Sequence, residues 1–147
     1  MIAVWADAET STYQDHVIAH VVGATVLGHF VREEALHLLL DIDFVWTIYT
    51  DGQMLLRHER LALAELGLGD DERASLAAEF DALHAGGGLD AETLSLTRRA
   101  PSGCEIGEVE FYSDGARRKF VVGGEGPGLV VESDTETGAF VVTDSVG

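Results

Sequence analysis

The fold is decided by residues 35–49, which read ALHLLLDIDFVWTIY. Every second residue of this stretch is apolar, in the order Leu36, Leu38, Leu40, Ile42, Phe44, Trp46 and Ile48. Successive side chains of a strand point to opposite faces of its sheet, so a period of two is typical of a half-buried strand. The stretch therefore predicts one long strand over residues 35–49, with its other face open to solvent.

The segments on either side predict neighbouring strands. Residues 25–31 predict an upstream partner, which is joined to the long strand by a loop at residues 32–34. Residues 54–63 predict a downstream partner, which is reached through a hairpin turn at Asp51-Gly52. The apolar residues of segment 24–40 also fit a period of 3.6, so a helix there, followed by a strand, stays open as an alternative.

Local signals near the two ends of the chain predict further elements. Ser11 and Gln14 have the spacing of a capping box and predict a helix over about residues 12–22. Two more hairpins are expected towards the C-terminus, because apolar runs there flank turn-forming residues. Their strands are predicted at residues 108–112, 117–122, 129–132 and 139–143.

Two helices are predicted between these regions. Asp70 has the character of an N-cap for a helix over residues 71–85. The apolar seam of that helix is formed by Leu76, Phe80 and Leu83. A shorter helix is expected to begin at Asp90, with Arg98 and Arg99 at its C-terminal end.

Together these elements predict an α+β fold: a mostly antiparallel sheet built from hairpins, with about three helices packed on one face. The length of 147 residues suits one domain, so residues 1–147 are expected to form a single compact domain. Residues 48–52 (IYTDG) resemble residues 111–115 (FYSDG), which indicates a weak α+β duplication with halves at about 1–69 and 70–147. Two hairpins with the same turn chemistry are the alternative explanation.

Acidic side chains greatly outnumber basic ones. The chain has 26 Asp and Glu residues against nine Lys and Arg residues, which gives a formal net charge of −17. Such a surface repels the phosphates of nucleic acids and the headgroups of anionic membranes, so we expect neither as a partner. The acids are spread over the whole chain, and their excess indicates either a basic protein partner or adaptation for solubility or high salt.

Cysteine content and hydropathy indicate the compartment. Cys104 is the only cysteine, so an intrachain disulfide is impossible, which suits a reducing compartment. The sequence shows no secretion signal and no uninterrupted apolar stretch of about 18 residues. We therefore expect a cytoplasmic protein.

The predicted open face of residues 35–49 carries the candidate catalytic residues His37, Asp41 and Asp43. On one strand, Asp41 and Asp43 would lie about 7 Å apart on the same face. That spacing permits a paired-carboxylate site for a cation or for acid–base chemistry. A solvated sheet face without chemistry is the alternative.

Histidines provide the candidate metal ligands. His16 and His20 are four residues apart on the first predicted helix, a spacing that suits a metal ion. His29 would face His37 across the hairpin if the connecting loop has three residues. Neither pair has a third ligand nearby in the sequence, and we expect no cofactor. His84 is explained by the favourable position of a cation at the C-terminal end of a helix.

Five of the nine basic side chains lie in two short runs, Arg98-Arg99 and Arg117-Arg118-Lys119. Their clustering within an acidic chain predicts a patch that binds an anion or a partner. Pairing with nearby carboxylates is the alternative.

These observations favour a small acidic interaction or regulatory protein without enzymatic activity, which binds a basic protein partner. The alternative function is a small-molecule- or metal-binding domain, including an enzyme, that uses the polar groups on the face of residues 35–49. A homodimer is also compatible with the sequence.

Overall fold

The structure, a computed structural model, describes residues 5–85, 96–101 and 103–145. These residues form ten strands and three helices. In chain order they are β1 (Ala6–Asp7), α1 (Thr12–Val21), β2 (Val26–Arg32), β3 (Ala35–Leu40), β4 (Phe44–Tyr49), β5 (Met54–His58), α2 (Glu59–Glu65), α3 (Asp70–Ala85), β6 (Arg98–Arg99), β7 (Glu108–Asp114), β8 (Arg117–Gly123), β9 (Gly128–Asp134) and β10 (Phe140–Ser145).

The strands form two five-stranded antiparallel sheets. The first sheet has the order β5-β4-β3-β2-β6, and the second has the order β1-β7-β8-β9-β10. The predicted hairpins are present, because β2 pairs with β3, β7 with β8 and β9 with β10. This arrangement confirms the α+β fold class with antiparallel sheets built from hairpins. It also rules out a helix over residues 24–40.

The first sheet is the middle layer of the molecule. One face packs against the second sheet and α1, through side chains that include Leu36, Leu38, Trp46, Ile48, Val17, Val21, Phe120, Val122, Leu129 and Val131. The other face packs against α2 and α3, through Phe30, Leu39, Val45, Ala62, Leu66, Leu76, Phe80 and Leu83. Two helices therefore cover one face, whereas α1 contributes to the core between the sheets.

The prediction of one long strand over residues 35–49 is wrong. The chain turns at residues 41–43, so the stretch forms the hairpin of β3 and β4. Leu36 pairs with Ile48 and Leu38 with Trp46, so even-numbered residues share one face on both strands. A turn of three residues preserves the alternation, which is why two strands have the sequence pattern of one.

The second face of this hairpin is buried, which contradicts the predicted open face. His37 and Thr47 have exposed fractions of only 2% and 0%, and Leu39 and Val45 are equally buried. The physical reason is that α2 and α3 pack over this face. Apolar residues at alternating positions predict one buried face of a strand, but they do not indicate what packs on its other face.

The strand predicted over residues 54–63 ends early, at His58, and α2 begins at Glu59. The residues of α2 are mostly good helix formers, including Leu, Ala and Glu. His58 caps the helix, since its Nδ1 accepts a hydrogen bond from the backbone N–H of Arg60 at 3.2 Å. This early switch from strand to helix places Glu59 at the edge of the sheet.

The remaining helix predictions have different outcomes. The capping box of Ser11 and Gln14 and the helix that follows it are confirmed. The second predicted helix is α3, which begins one residue earlier, at Asp70. The start of the helix predicted from Asp90 lies outside the described residues, and its predicted end is wrong, because Arg98 and Arg99 form β6 beside β2.

The two Asp-Gly turns are confirmed, with positive φ angles of 91° at Gly52 and 60° at Gly115. They lie in different sheets, and the internal duplication and the single-domain organisation stay predictions. Among the described residues, no helix is long and apolar enough to cross a membrane.

Candidate functional site

A group of polar side chains converges where three elements meet beside the first sheet. Asp43 is the last residue of the β3–β4 turn, Glu59 is the first residue of α2, and His84 lies in the last turn of α3. One potential ligand atom from each residue lies within 4.8 Å of the other two. Within the described ranges, this is the only such group of His, Cys, Asp or Glu residues.

The local conformation of each segment explains how Asp43 and Glu59 come together. Asp43 has a φ of 65°, the left-handed conformation that the last position of a three-residue hairpin loop requires and that Asp tolerates. The carbonyl oxygen of Asp43 accepts a hydrogen bond from the backbone N–H of Glu59 at 3.1 Å. The turn is therefore tied to the start of α2.

His84 completes the group from the other side. Its Nε2 lies 2.9 Å from both carboxylate oxygens of Glu59 and 3.6 Å from Oδ1 of Asp43. The exposed fraction of the side chain is 13% for Glu59, 26% for His84 and 67% for Asp43. The group is thus partly buried on the Glu59 side and open to solvent on the Asp43 side.

The group lies in a cleft of about 620 Å³ between α2, α3 and the β3–β4 turn. The cleft is lined by Asp43, His58, Glu59, Arg60, Leu63, Ala77, Phe80, Asp81 and His84. Its size is in the range of small-molecule sites, and its wall combines apolar side chains with a few charged groups.

The electrostatics of Glu59 favour a cation at this position. Burial raises the pKa of Glu59 above its ordinary value, and the charge of Asp43 and a hydrogen bond to it raise this pKa further. His84 opposes these effects through its hydrogen bond and its charge. A positive ion between the carboxylates would stabilise the ionised form of Glu59.

The donor set suits a transition metal. Carboxylate oxygens and an imidazole nitrogen bind Zn²⁺, Mn²⁺ and Fe²⁺, whereas Mg²⁺ and Ca²⁺ prefer oxygen donors alone. Donor atoms on one such ion, each at about 2.1 Å from it, lie roughly 3.0–3.4 Å apart. The two distances from His84 Nε2, 2.9 and 3.6 Å, are close to this spacing. Without a metal, Nε2 of His84 is within hydrogen-bond distance of Glu59 and lies beside Asp43.

His37 lies away from this group. Its Nδ1 is 2.8 Å from Thr47 Oγ1, its Nε2 is 3.2 Å from the carbonyl oxygen of Arg32, and its ring stacks on Phe30. Burial lowers the pKa of His37 to about 4. Both ring nitrogens have partners within the protein, so His37 is a structural residue of the core.

The predicted pair of Asp41 and Asp43 does not lie on a strand. Both residues belong to the turn, and Oδ1 of Asp41 accepts a hydrogen bond from the backbone N–H of Thr25 at 2.9 Å. Asp43 alone joins Glu59 and His84. One of the three candidate catalytic residues is therefore part of the site.

The prediction that His29 faces His37 is wrong. The register pairs His29 with Leu38 and Phe30 with His37. The β2–β3 loop has two residues instead of three, Glu33 and Glu34, and both have positive φ angles, of 56° and 57°. This shorter loop shifts the register by one residue and places the two histidines on opposite faces.

The pair of His16 and His20 forms on the exposed side of α1. Their Nε2 atoms are 3.3 Å apart, and their rings meet edge to face at 4.7 Å. No described Asp, Glu, His or Cys completes a group of three with them.

The basic residues are divided between the two sheets. Arg98 and Arg99 lie on β6, at an edge of the first sheet. Arg117 and Lys119 lie over the ring of Trp5, at 5.1 and 4.8 Å from its centroid.

Lys119 contacts a second aromatic ring, and Arg118 contacts a backbone carbonyl group. Lys119 also lies 4.9 Å from the ring centroid of Tyr112, and Arg118 donates a hydrogen bond to the carbonyl oxygen of Gly115 at 2.6 Å. The two runs lie on different sheets, and a patch that binds an anion or a partner stays a prediction.

Sequence reasoning missed Glu59 and His84. Residues 43 and 84 are 41 positions apart, and with residue 59 they form no motif. The sequence pattern explains His84 by its place at the end of a helix. Comparison of the chain with models of protein families, with curated proteins and with solved structures finds no match. The geometry of Asp43, Glu59 and His84 is therefore the only indication of a function among the described residues.

Proposed function

We propose that this protein binds a divalent transition-metal ion through Asp43, Glu59 and His84. The observation that carries the proposal is the position of His84 Nε2, 2.9 Å from both oxygens of Glu59 and 3.6 Å from Asp43. This is a metal-binding function, the alternative that the sequence left open. Of the residues expected to perform it, Asp43 alone is retained.

The arrangement of the three ligands supports a site that remains accessible to other molecules. One ligand comes from each of the β3–β4 turn, α2 and α3, and the side chain of Asp43 is largely exposed. A transition metal with three protein ligands keeps further coordination positions for water or another ligand. The site thus resembles catalytic centres more than the closed, four-ligand sites that only stabilise a fold.

The surroundings of the site also favour a cation. Asp81 lines the same cleft, and the whole chain carries a formal net charge of −17. A negative field of this kind raises the local concentration of cations around a site. The imidazole of His84 then selects a transition metal over Mg²⁺ or Ca²⁺.

Metal binding to the chelator-treated protein tests the proposal. Isothermal titration with Zn²⁺ and with Mn²⁺ is expected to show one site per chain. His84→Ala is expected to weaken binding at least about 100-fold, because even changes in the outer shell of a metal site cost about 10- to 100-fold. His16→Ala is the matched control, since it also removes a helix histidine and disrupts the pair with His20.

A second measurement separates loss of a ligand from loss of folding. A saturating metal ion at 100 times its Kd stabilises a folded protein by about 2.7 kcal/mol, which raises its melting temperature. The wild type and His16→Ala are expected to show this rise, and His84→Ala is expected to remain folded without it. The proposal fails if His84→Ala binds metal as tightly as the wild type, or if His16→Ala loses binding.

A further inference from the structure

Arg60 is the unusual side chain of the cleft. It lies at the second position of α2, next to the ligand Glu59, and it lines the same cleft as Asp43 and Asp81. Within the residues that the structure describes, its guanidinium group forms no hydrogen bond or ion pair, although three carboxylates line the cleft with it. A cation that stays unpaired beside acids is available to an anionic ligand.

The position of Arg60 is fixed by its backbone. The N–H of Arg60 donates a hydrogen bond to His58 Nδ1 at 3.2 Å, which holds the first turn of α2. The preceding residue, Glu59, is held by the carbonyl oxygen of Asp43. The backbone of Arg60 is therefore held next to the metal ligands, and its exposed side chain lines the same cleft as they do.

Part of the cleft lining is apolar. Leu63 lies one helical turn after Arg60 and Glu59, and Ala77 and Phe80 face the cleft from α3. Phe80 and Leu63 belong to the hydrophobic cluster between the helices and the sheet. A ligand in this cleft would therefore meet both hydrocarbon and a guanidinium group.

From this arrangement we infer that the site takes a small organic acid, and this inference rests on the proposed metal function. The carboxylate of the ligand coordinates the metal ion and pairs with Arg60, while its apolar part packs against Leu63 and Phe80. An Arg–carboxylate pair is charge-assisted, and the metal ion supplies the second positive charge. The cleft of about 620 Å³ has room for such a molecule.

The test uses the full chain loaded with Mn²⁺ and three probes: acetate, phenylacetate and inorganic phosphate. Isothermal titration measures affinity, and the water-proton relaxation of Mn²⁺ reports displacement of metal-bound water. Phenylacetate is expected to bind and to displace water, and to bind at least about fivefold tighter than acetate, because its ring covers the apolar wall. The metal-free chain is expected to bind neither phenylacetate nor acetate.

Variants test which residue binds the carboxylate of the ligand and which one contacts its apolar part. Arg60→Ala is expected to weaken phenylacetate and acetate by about tenfold each, since it removes a charge-assisted hydrogen bond. Arg99→Ala, on β6, removes an exposed arginine elsewhere and is expected to have no effect. Leu63→Ala is expected to weaken phenylacetate and to leave acetate unchanged.

The outcomes separate this inference from the metal function. If Mn²⁺ does not bind, the proposed function and this inference fail together. If Mn²⁺ binds but Arg60→Ala leaves both carboxylates unaffected, only this inference fails. Tighter binding of phosphate than of phenylacetate also overturns it, because the site would then select a phosphate group over a carboxylate with an apolar part.

Discussion

At the scale of single residues, burial decides which polar groups are available for chemistry. His37 has two bonded ring nitrogens and an exposed fraction of 2%, so it stabilises the sheet and cannot reach a ligand. Asp43 comes from the same hairpin, but the turn exposes it and directs it to Glu59 and His84. His37 and Asp43 are equal candidates for catalysis in the sequence, but the structure gives them different surroundings.

The buried imidazole of His37 predicts acid sensitivity. The unfolded chain takes up a proton near pH 6.5, whereas in the folded protein the pKa is about 4. The difference between these two pKa values of His37 does not change stability above about pH 6.5. It lowers stability as the pH falls from about 6.5 to about 4. By pH 4.5 the loss is about 2.5 kcal/mol.

Urea unfolding at pH 7 and at pH 4.5 measures this loss. His37→Gln keeps a polar side chain but has no titrating group, so it isolates the histidine from the many carboxylates that titrate in the same range. The wild type is expected to lose about 2.5 kcal/mol more than His37→Gln between the two pH values. Equal losses in both proteins would contradict the assignment.

At the scale of elements, α3 does more than cover the sheet. Its Glu79 is buried, and its carboxylate accepts hydrogen bonds from the backbone N–H groups of Leu96 and Thr97 and from the Thr97 hydroxyl. The segment that leads into β6 is thereby fastened to the helix. The same helix positions His84, so the edge of the first sheet and the candidate site share one support.

The contact of β2 with α3 and β6 leaves no room for a side chain at Gly28. A Cβ atom there would lie 2.7 Å from Leu83 Cδ1 and 2.8 Å from the carbonyl oxygen of Arg98. Because a backbone oxygen cannot move as a flexible side chain can, Gly28→Ala is expected to lower the free energy of unfolding by about 1–3 kcal/mol.

Gly123→Ala is the matched control for Gly28→Ala, because Gly123 also lies on a strand. A Cβ atom at Gly123 has no neighbour within 4 Å, so this change is expected to be neutral or slightly stabilising. Chemical denaturation of the two variants and the wild type measures both effects. Equal stability of the two variants would show that β6 and α3 do not pack on β2 as described.

At the scale of the whole molecule, the acidic charge is the dominant property. Ion pairs among the described residues involve four arginines and His84, and the pairs between exposed side chains contribute little stability. The function as an interaction protein with a basic partner stays a prediction, as do a homodimer, a cytoplasmic location and the exclusion of nucleic acids.

Salt dependence tests the role of this charge in binding. If the field of the whole surface attracts a basic partner, a lysine-rich peptide is expected to bind at low ionic strength and to lose affinity steeply as salt screens the charges. Two triple variants remove equal charge at different places: Glu105, Glu108 and Glu125 to Gln, and Glu9, Asp71 and Glu136 to the corresponding amides.

Both triple variants are expected to weaken binding of the peptide to a similar, modest extent, because the acids are spread over the whole chain. Fluorescence titration at several salt concentrations provides the affinities. Affinity that is independent of salt, or a large loss in one variant alone, would argue against attraction by the whole field.

The sequence by itself determined the fold class, most hairpins, α1 and α3. These features depend on local properties: the period of apolar residues, capping residues such as Ser11 and Gln14, and Asp-Gly turns. The same local signals gave a wrong prediction of one long strand over residues 35–49, because a three-residue turn leaves the alternation of apolar residues unchanged.

Only the tertiary structure decided which polar residues meet. Glu59 follows a strand that ends early, His84 ends a helix that crosses the same sheet, and Asp43 lies in a turn that the pattern concealed. Their approach is set by how α2 and α3 pack on the first sheet, and this packing depends on contacts between residues far apart in the chain. Periodicity specifies which face of an element is buried, whereas a site between elements requires the positions of all of them.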